Sequence, residues 1–202
     1  METSTSSPQA APRRLRIVGV AGSGKSHLAR DIAQRLDLAR LELDAVFWDA
    51  DWTLRDLDEA LDIVHDFVTS HPAGWVIDGN WTSRLGGHLD PGTRHGADVV
   101  VWLDHSRCTT MRRIVTRTVR RGILRRELWH GNRESPWWWL HWDPERNIVR
   151  WTWVKHPEVR ARMERMIAAG TPVVRLRTQT DVDEWLAATV AQWPTTSRSR
   201  GR

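Results

Sequence analysis

The sequence predicts an α/β fold in which a mostly parallel sheet is flanked by helices. Short apolar runs alternate along the chain with stretches whose apolar residues recur at helical spacing. The first apolar run leads into a glycine-rich loop, and a helical pattern begins where that loop ends. With 202 residues, of which 40% are hydrophobic, the chain has the size and composition of one globular domain.

The first strand is predicted at residues 15–18 and is followed by GVAGSGKS at residues 19–26. Leu28, Ile32 and Leu36 then recur at every fourth position, which indicates a helix. This is the phosphate-binding pattern G-x-x-x-x-G-K-S in its required place between a strand and a helix. Its glycines let successive backbone N–H groups turn toward one anion, and the helix N-terminus adds a positive dipole end.

The motif predicts a bound nucleotide. Lys25 supplies a point charge for the β- and γ-phosphates, and the Ser26 hydroxyl is expected to bind Mg²⁺. The residues expected to contact the phosphates are Gly19, Ala21, Gly22, Ser23, Gly24, Lys25, Ser26 and His27.

Four further elements follow in the first half of the chain. A second strand is predicted at residues 38–43, and strands at residues 74–79 and 97–104 follow from their apolar runs. Between them, a helix is predicted from Thr53 to about His71, with Asp56 as a capping-box residue. The residues expected on its buried stripe are Leu57, Leu61, Val64 and Val68.

The second half is predicted to contain three helices and one strand. A basic helix is expected at residues 106–126, and a helix at residues 144–169 is expected to break at Pro157. A last strand is predicted at residues 171–177, and Asp181 is expected to cap a final helix that ends near Gln192. Residues 1–14 are expected to form a disordered arm and residues 194–202 a basic tail, which leaves a single domain at 15–193.

Three aspartates stand at the ends of successive predicted strands. In a parallel sheet the carboxyl ends of the strands lie at one edge, where active residues of such folds are found. Asp44 is the expected base that accepts a proton from an attacking hydroxyl. Asp78 is the expected Mg²⁺ ligand, and Asp104 is its rival for that role.

Several segments together resemble the adenylate-kinase-like proteins known as the DNA topology modulation group, which are similar to small nucleotide and nucleoside kinases. The resemblance covers roughly residues 15–190, and the segments that carry it are GVAGSGKSHLAR, LELDAVFWDADW, GWVIDGNWTS, VVVWLD, HGNRES and VVRLRTQTDVDEWL. It implies a phosphate-loop NTPase fold with five parallel strands, ATP and Mg²⁺ as ligands, and a mobile lid that bears arginines, at about residues 106–156. Where adenylate kinases have Asp-Gly-Phe-Pro-Arg, this chain has DGNWT at residues 78–82, so the arginine that meets an acceptor phosphate is absent from its expected place.

The basic stretch and the tryptophan-rich segment that follows it are interpreted as parts of this lid. Arginine forks suit phosphate oxygens and stabilise the charge that grows during phosphoryl transfer, and the arginines expected to do so are Arg117, Arg121 and Arg133. In ESPWWWLHWDPE, residues 134–145, consecutive helical positions point about 100° apart, so the three adjacent tryptophans cannot share one ligand. Most of these rings are expected to pack against Trp151 and Trp153.

The sequence therefore predicts a kinase that moves the γ-phosphoryl group of ATP to a small-molecule acceptor, such as a nucleoside, a nucleotide or another hydroxyl compound. The net charge of +5 also allows a second hypothesis, a nucleotide-gated protein that binds nucleic acid without kinase activity. A membrane partner is not expected, because polar residues interrupt the apolar face of the tryptophan-rich segment. The single cysteine and the lack of a signal-peptide pattern favour the cytoplasm.

Overall fold

A five-stranded parallel sheet forms the centre of the computed structural model, which describes residues 12–124, 127–132 and 147–193. The strands stand in the order β2-β3-β1-β4-β5, and each pair of neighbours is parallel. Their bounds are β1 Arg14–Val18, β2 Ala39–Glu42, β3 Trp75–Asp78, β4 Val99–Leu103 and β5 Val173–Leu176. The predicted fold class is confirmed, because helices flank this sheet on both faces.

Seven helices connect and cover the strands within the described residues. They are α1 Lys25–Leu36, α2 Leu43–Phe47, α3 Leu57–Ser70, α4 Thr82–Leu85, α5 Arg107–Leu124, α6 Ile148–Ala168 and α7 Gln179–Gln192. Two single 3₁₀ turns lie at Ala50–Trp52 and Trp129–Gly131. None of the helices described is long and apolar enough to cross a membrane.

The alternation of side chains along β1 divides the core. Leu15 and Ile17 point to one face and pack with α1 and α7. On the other face, α2 and α3 cover β3, whereas α6 covers Val18 and β4. Arg16 lies on this second face and is only 1% exposed, with Nη1 2.7 Å from Asp90 Oδ1 and Nη2 donating to Thr82 Oγ1 at 2.9 Å.

The third helix begins later than the sequence predicted. The predicted start at Thr53 is wrong, because Asp56 is the cap: its carboxylate accepts from the backbone N–H groups of Asp58 and Glu59. The Thr53 hydroxyl instead donates to the carbonyl oxygen of Ala50, which closes a 3₁₀ turn. Consequently Leu57, which was expected to be buried, is 39% exposed.

The cap of the last helix also differs from the prediction. Thr178, rather than Asp181, is the cap residue, and its hydroxyl accepts from the backbone N–H of Asp181. The Asp181 carboxylate in turn accepts a hydrogen bond from the backbone N–H of Thr178, so the two residues form a reciprocal capping box.

Pro157 lies inside α6 without ending it, which contradicts the predicted break. Proline has no N–H, so the carbonyl oxygen four residues earlier, that of Trp153, loses its helical partner. Arg107 replaces that partner, because its Nη2 donates to the Trp153 carbonyl oxygen at 2.6 Å and its guanidinium lies 3.9 Å from the centre of the Trp153 ring. This contact joins the beginning of α5 to α6.

Several predictions concern residues outside the described part of the chain. These are the N-terminal arm up to residue 11, the C-terminal tail from residue 194, Arg133, and the tryptophans of residues 134–145. Arg14, which was assigned to the arm, is the first residue of β1. Within the expected lid region, Ile114 of α5 is fully buried, so this part of α5 belongs to the packed body.

Candidate functional site

The glycine-rich loop, residues 19–26, connects the carboxyl end of β1 to the N-terminus of α1. Gly24 caps α1 with a φ of 99°, a backbone conformation that favours glycine. Gly22 has a φ of 79°, and a Cβ there would lie 3.0 Å from the Thr110 carbonyl oxygen and 3.2 Å from Ile114 of α5. The loop is therefore held between its own helix and α5, and it aims the N-terminus of α1 at the carboxyl edge of the sheet.

Two side chains of the loop, those of Lys25 and Ser23, carry hydrogen-bond donors that are surrounded by protein atoms. Lys25 Nζ donates to the Val20 carbonyl oxygen at 3.1 Å, so the ammonium group lies over the loop. Burial lowers the pKa of Lys25, while the nearby carboxylates of Asp44 and Asp78 oppose this shift. Ser23 is 1% exposed, and its hydroxyl oxygen has no hydrogen-bond partner among the residues that the structure describes. A buried hydroxyl without a partner is costly, and an anion seated in the loop would supply an acceptor for it.

Carboxylates from β2 and β3 meet the beginning of α1. The Ser26 hydroxyl donates to Glu42 Oε1 at 3.2 Å, and Arg40 bridges the two strands by donating to Asp78 Oδ1 at 3.0 Å and to Glu42 Oε2 at 3.2 Å. Asp78 is 1% exposed, and burial raises its pKa although Ser26 and Arg40 favour the charged form. Asp78 thus lies beside Ser26, the other residue expected to bind Mg²⁺.

Glu42 and Arg40 were not among the residues predicted for the site. The parallel register pairs Glu42 with Asp78, so both residues end at the same edge of the sheet. Arg40 and Glu42 are two residues apart in β2 and so share one face. That spacing is visible in the sequence, but the register that brings them to Asp78 is not.

Asp44 lies in the first turn of α2 and faces Lys25. Trp81 donates its indole N–H to Asp44 Oδ1 at 2.7 Å, which fixes the carboxylate. Protein atoms surround this carboxylate, although part of the residue stays accessible. Burial raises the pKa of Asp44, even though Lys25 and Trp81 stabilise its charged form. A partly accessible carboxylate with a raised pKa has the properties of a general base.

Asn80 joins the loop after β3 to the glycine-rich loop. Its Oδ1 accepts from the Gly19 N–H at 3.2 Å, and its Nδ2 donates to the Gly19 carbonyl oxygen at 2.6 Å. The Gly79 N–H already bonds the Ile17 carbonyl oxygen, so the Asn80 side chain continues the β1–β3 ladder beyond its last backbone pair. Asn80 therefore fixes Trp81, and with it Asp44, relative to the loop.

The arginines of α5 occupy different surroundings. Arg117 lies close enough to Lys25 and Asp44 for its charge to lower the pKa of both groups. Arg113, which was not among the predicted catalytic residues, has Nη1 3.5 Å from the Ser23 carbonyl oxygen, and its Nη2 donates to Gln179 Oε1 at 3.0 Å. Arg121 lies one turn beyond Arg117 and is half-buried. His27 points outward from α1, with 76% of its side chain exposed and Nε2 3.7 Å from Asp31.

Asp104 is engaged elsewhere. Arg175 donates to its carboxylate through Nε at 2.8 Å and Nη2 at 2.6 Å, and Arg160 lies 3.8 Å away. Of the two carboxylates that the sequence offered for Mg²⁺, Asp78 is the one beside Ser26. Across the described residues, no group of three or more His, Cys, Asp or Glu side chains forms a metal cage. Ser26 with Asp78 is a hydroxyl–carboxylate pair, and such hard oxygen donors suit Mg²⁺ that is shared with phosphates.

Comparisons with known proteins add little to this geometry. No protein-family model matches the chain, and no curated protein sequence matches it either. Among solved structures, the chain is similar to a "putative kinase" from Chloroflexus aurantiacus, with a TM-score of 0.48 and 17% identity over 91% of this chain and 98% of that one. Membership of the DNA topology modulation group therefore stays a prediction, and the fold class rests on the parallel sheet and its helices.

Proposed function

We propose that the protein is an ATP-dependent phosphotransferase that acts on a small-molecule acceptor with a hydroxyl group. One observation carries the proposal: Lys25 of the glycine-rich loop and the carboxylate of Asp44 lie close enough together, at the carboxyl edge of the sheet, for the charge of each to shift the pKa of the other. A phosphate-binding loop and a base close to it are the two parts that a phosphoryl transfer needs.

The donor, ATP, binds with its phosphates in the glycine-rich loop. Backbone N–H groups at the N-terminus of α1 and the Lys25 ammonium neutralise the phosphate oxygens. Ser26 and Asp78 would hold Mg²⁺, whose charge, when it is bound, offsets the negative charge that develops on the phosphates. Arg40 contacts both Glu42 and Asp78, so it fixes their orientation beside Ser26.

The acceptor is activated at Asp44. Asp44 takes the proton of the acceptor hydroxyl, and the oxygen of that hydroxyl forms a bond to the γ-phosphorus. The bond between that phosphorus and the bridging oxygen breaks, and ADP leaves with the electron pair. Arg117, whose charge reaches both Lys25 and Asp44, stabilises the negative charge on the transferring group.

An acceptor screen tests this proposal. The protein is incubated with ATP and Mg²⁺ and a panel of nucleosides, nucleotides and small alcohols, and ADP is measured against the rate without acceptor. The proposal expects at least one acceptor to raise ADP release well above that rate, and it expects Asp44→Ala to abolish the increase while sparing ATP binding. Full acceptor-dependent activity of Asp44→Ala would show that the base is another group.

A further inference from the structure

Beside Asp44, five aromatic side chains contact one another in an unbroken series, which we call the aromatic wall: Phe47, Trp48, Trp52, Trp81 and Trp129. Phe47 is buried and stacks on Trp81 with ring centres 4.7 Å apart. The four tryptophans are each only half-buried. Large aromatic rings are usually buried in protein cores, because their exposure to water is unfavourable. Four half-buried tryptophans in contact therefore form an apolar surface that a ligand can cover.

The rings of the wall meet nearly at right angles. Trp48 lies edge-on to Trp81, with centres 5.5 Å apart and an interplanar angle of 75°, and edge-on to Trp52 at 5.8 Å and 81°. Trp52 and Trp129 repeat the arrangement at 6.3 Å and 88°. Such corners match a planar ring, which can lie against the face of one tryptophan and meet the edge of the next in the two geometries that aromatic pairs prefer.

Polar contacts hold the wall in place. Asn132 is 4% exposed. Its side chain accepts from the backbone N–H of Trp52 at 2.9 Å and donates to the Asp49 carbonyl oxygen at 2.7 Å. His130 Nε2 lies 2.9 Å from the Ala45 carbonyl oxygen. Trp52 and His130 both have a φ of 54°, a strained conformation for residues with side chains. Strain that is kept by surrounding contacts is typical of binding sites.

The wall also touches the proposed base. The Trp81 indole N–H donates to Asp44 Oδ1 at 2.7 Å, and Trp48 directly follows α2, whose first turn carries Asp44. A ring seated on Trp48 and Trp81 would therefore bring a hydroxyl substituent to Asp44.

We propose that the aromatic wall binds the acceptor and that the acceptor is a compound with a planar ring and a hydroxyl group, such as a nucleoside or an aromatic alcohol. This inference rests on the proposed phosphotransferase function and narrows it, because aliphatic polyols have no planar face to stack. Stacking of one base on an aromatic side chain changes affinity by roughly 5- to 150-fold.

Binding measured without turnover tests the inference apart from the activity. Ligand-observed NMR on the full chain compares adenosine, thymidine and 2-phenylethanol with glycerol and ribose. The ring compounds are expected to bind and the two polyols to bind much more weakly. Trp48→Leu should weaken ring binding roughly 5- to 150-fold. Trp48→Phe should retain most of the binding, and Trp153→Leu, which alters a 52% exposed tryptophan on α6, should leave it unchanged.

The outcomes separate the inference from the function beneath it. Polyols that bind as well as the ring compounds, or a Trp48→Leu protein that binds rings like the Trp153→Leu control, would overturn the inference. If polyols accept phosphate and ring compounds do not, the proposed phosphotransferase function is supported and the inference that the acceptor has a planar ring is wrong. If ring compounds bind at Trp48 but no compound ever raises ADP release, the ring site stands and the transfer reaction falls.

Discussion

Lys25 is the residue on which the proposed nucleotide binding depends most. Its ammonium lies over the glycine-rich loop, 3.1 Å from the Val20 carbonyl oxygen. Hydrogen bonds to charged groups contribute about 1.5–3 kcal/mol. Lys25→Ala is therefore expected to weaken ATP binding roughly 10- to 150-fold, measured by calorimetry. Lys155→Ala, which removes an exposed lysine paired with Glu158 on α6, is the matched control and should bind ATP normally.

The pH dependence of the reaction depends on Asp44. Burial raises its pKa, so it is protonated at pH values where an ordinary aspartate is charged, and a base must be charged to accept a proton. Activity is thus expected to fall on the acid side at a pH above the usual range for aspartate. Burial lowers the pKa of Lys25, so the alkaline fall should come below the usual range for lysine.

Trp81→Phe sharpens this test. The substitution removes the indole N–H that stabilises the charged form of Asp44, so the pKa of Asp44 should rise further. The acid limb of the kcat profile is expected to move to higher pH, whereas Trp153→Phe should leave it in place. An acid limb that does not move in Trp81→Phe would mean that a different group sets it.

Asn80 tests the coupling between the loop after β3 and the glycine-rich loop. Asn80→Ala removes both bonds to Gly19, at 3.2 Å and 2.6 Å, and each such bond contributes about 0.5–1.5 kcal/mol to stability. Thermal unfolding should occur at lower temperature and ATP should bind more weakly, while Ser83→Ala, at an exposed position nearby, should change neither. Equal ATP affinity in Asn80→Ala and the parent would contradict a role for Asn80 in shaping the loop.

At the scale of elements, the packing of the loop against α5 is tested by a pair of glycines. Gly22 and Gly170 have φ values of 79° and 77°, so alanine is strained at both, by about 1–2 kcal/mol. Only at Gly22 would the new Cβ meet α5, whereas Gly170 has open space around it. Gly22→Ala should therefore lower both stability and ATP affinity more than Gly170→Ala does. Identical losses in the two variants would show that α5 does not constrain the loop.

The contact between α5 and α6 is tested by a double-mutant cycle. Arg107→Ala leaves the Trp153 carbonyl oxygen without its donor and should cost about 1 kcal/mol of unfolding free energy. Pro157→Ala restores a backbone N–H that can reach that oxygen, so the cost of Arg107→Ala should shrink in the Pro157→Ala protein. Additive losses, measured by chemical denaturation, would contradict the proposed exchange of partners.

Across the whole molecule, the sheet could be predicted from the sequence and part of the site could not. All five strands lie within two residues of their predicted bounds, because Gly, Asp or Pro flanks every predicted run and the buried strands β3 and β4 are apolar. The glycine-rich loop and the place of Asp78 at the end of a strand followed from local patterns in the same way, whereas Asp44 lies in α2, a helix that the sequence analysis did not predict.

The missed residues depend on contacts between distant segments. Arg40 and Glu42 join the site only through the register of β2 on β3, and Asn80 only through the close approach of its loop to Gly19. The false start at Thr53 has a local cause: the Thr53 side chain is engaged by the 3₁₀ turn at Ala50–Trp52, and Asp56, expected only as the capping-box residue, is the cap. Single-sequence patterns contain neither register nor such competition.

The fate of the γ-phosphate of ATP tests the central claim most directly. ATP labelled at the γ-position is incubated with the protein, Mg²⁺ and the acceptor that the screen identifies, and the label is followed into products. The expected result is label in the acceptor for the parent protein, and a transfer rate roughly 10²- to 10⁴-fold lower for Asp44→Asn with ATP binding retained. Label that appears only in inorganic phosphate, or transfer at the full rate by Asp44→Asn, would contradict it.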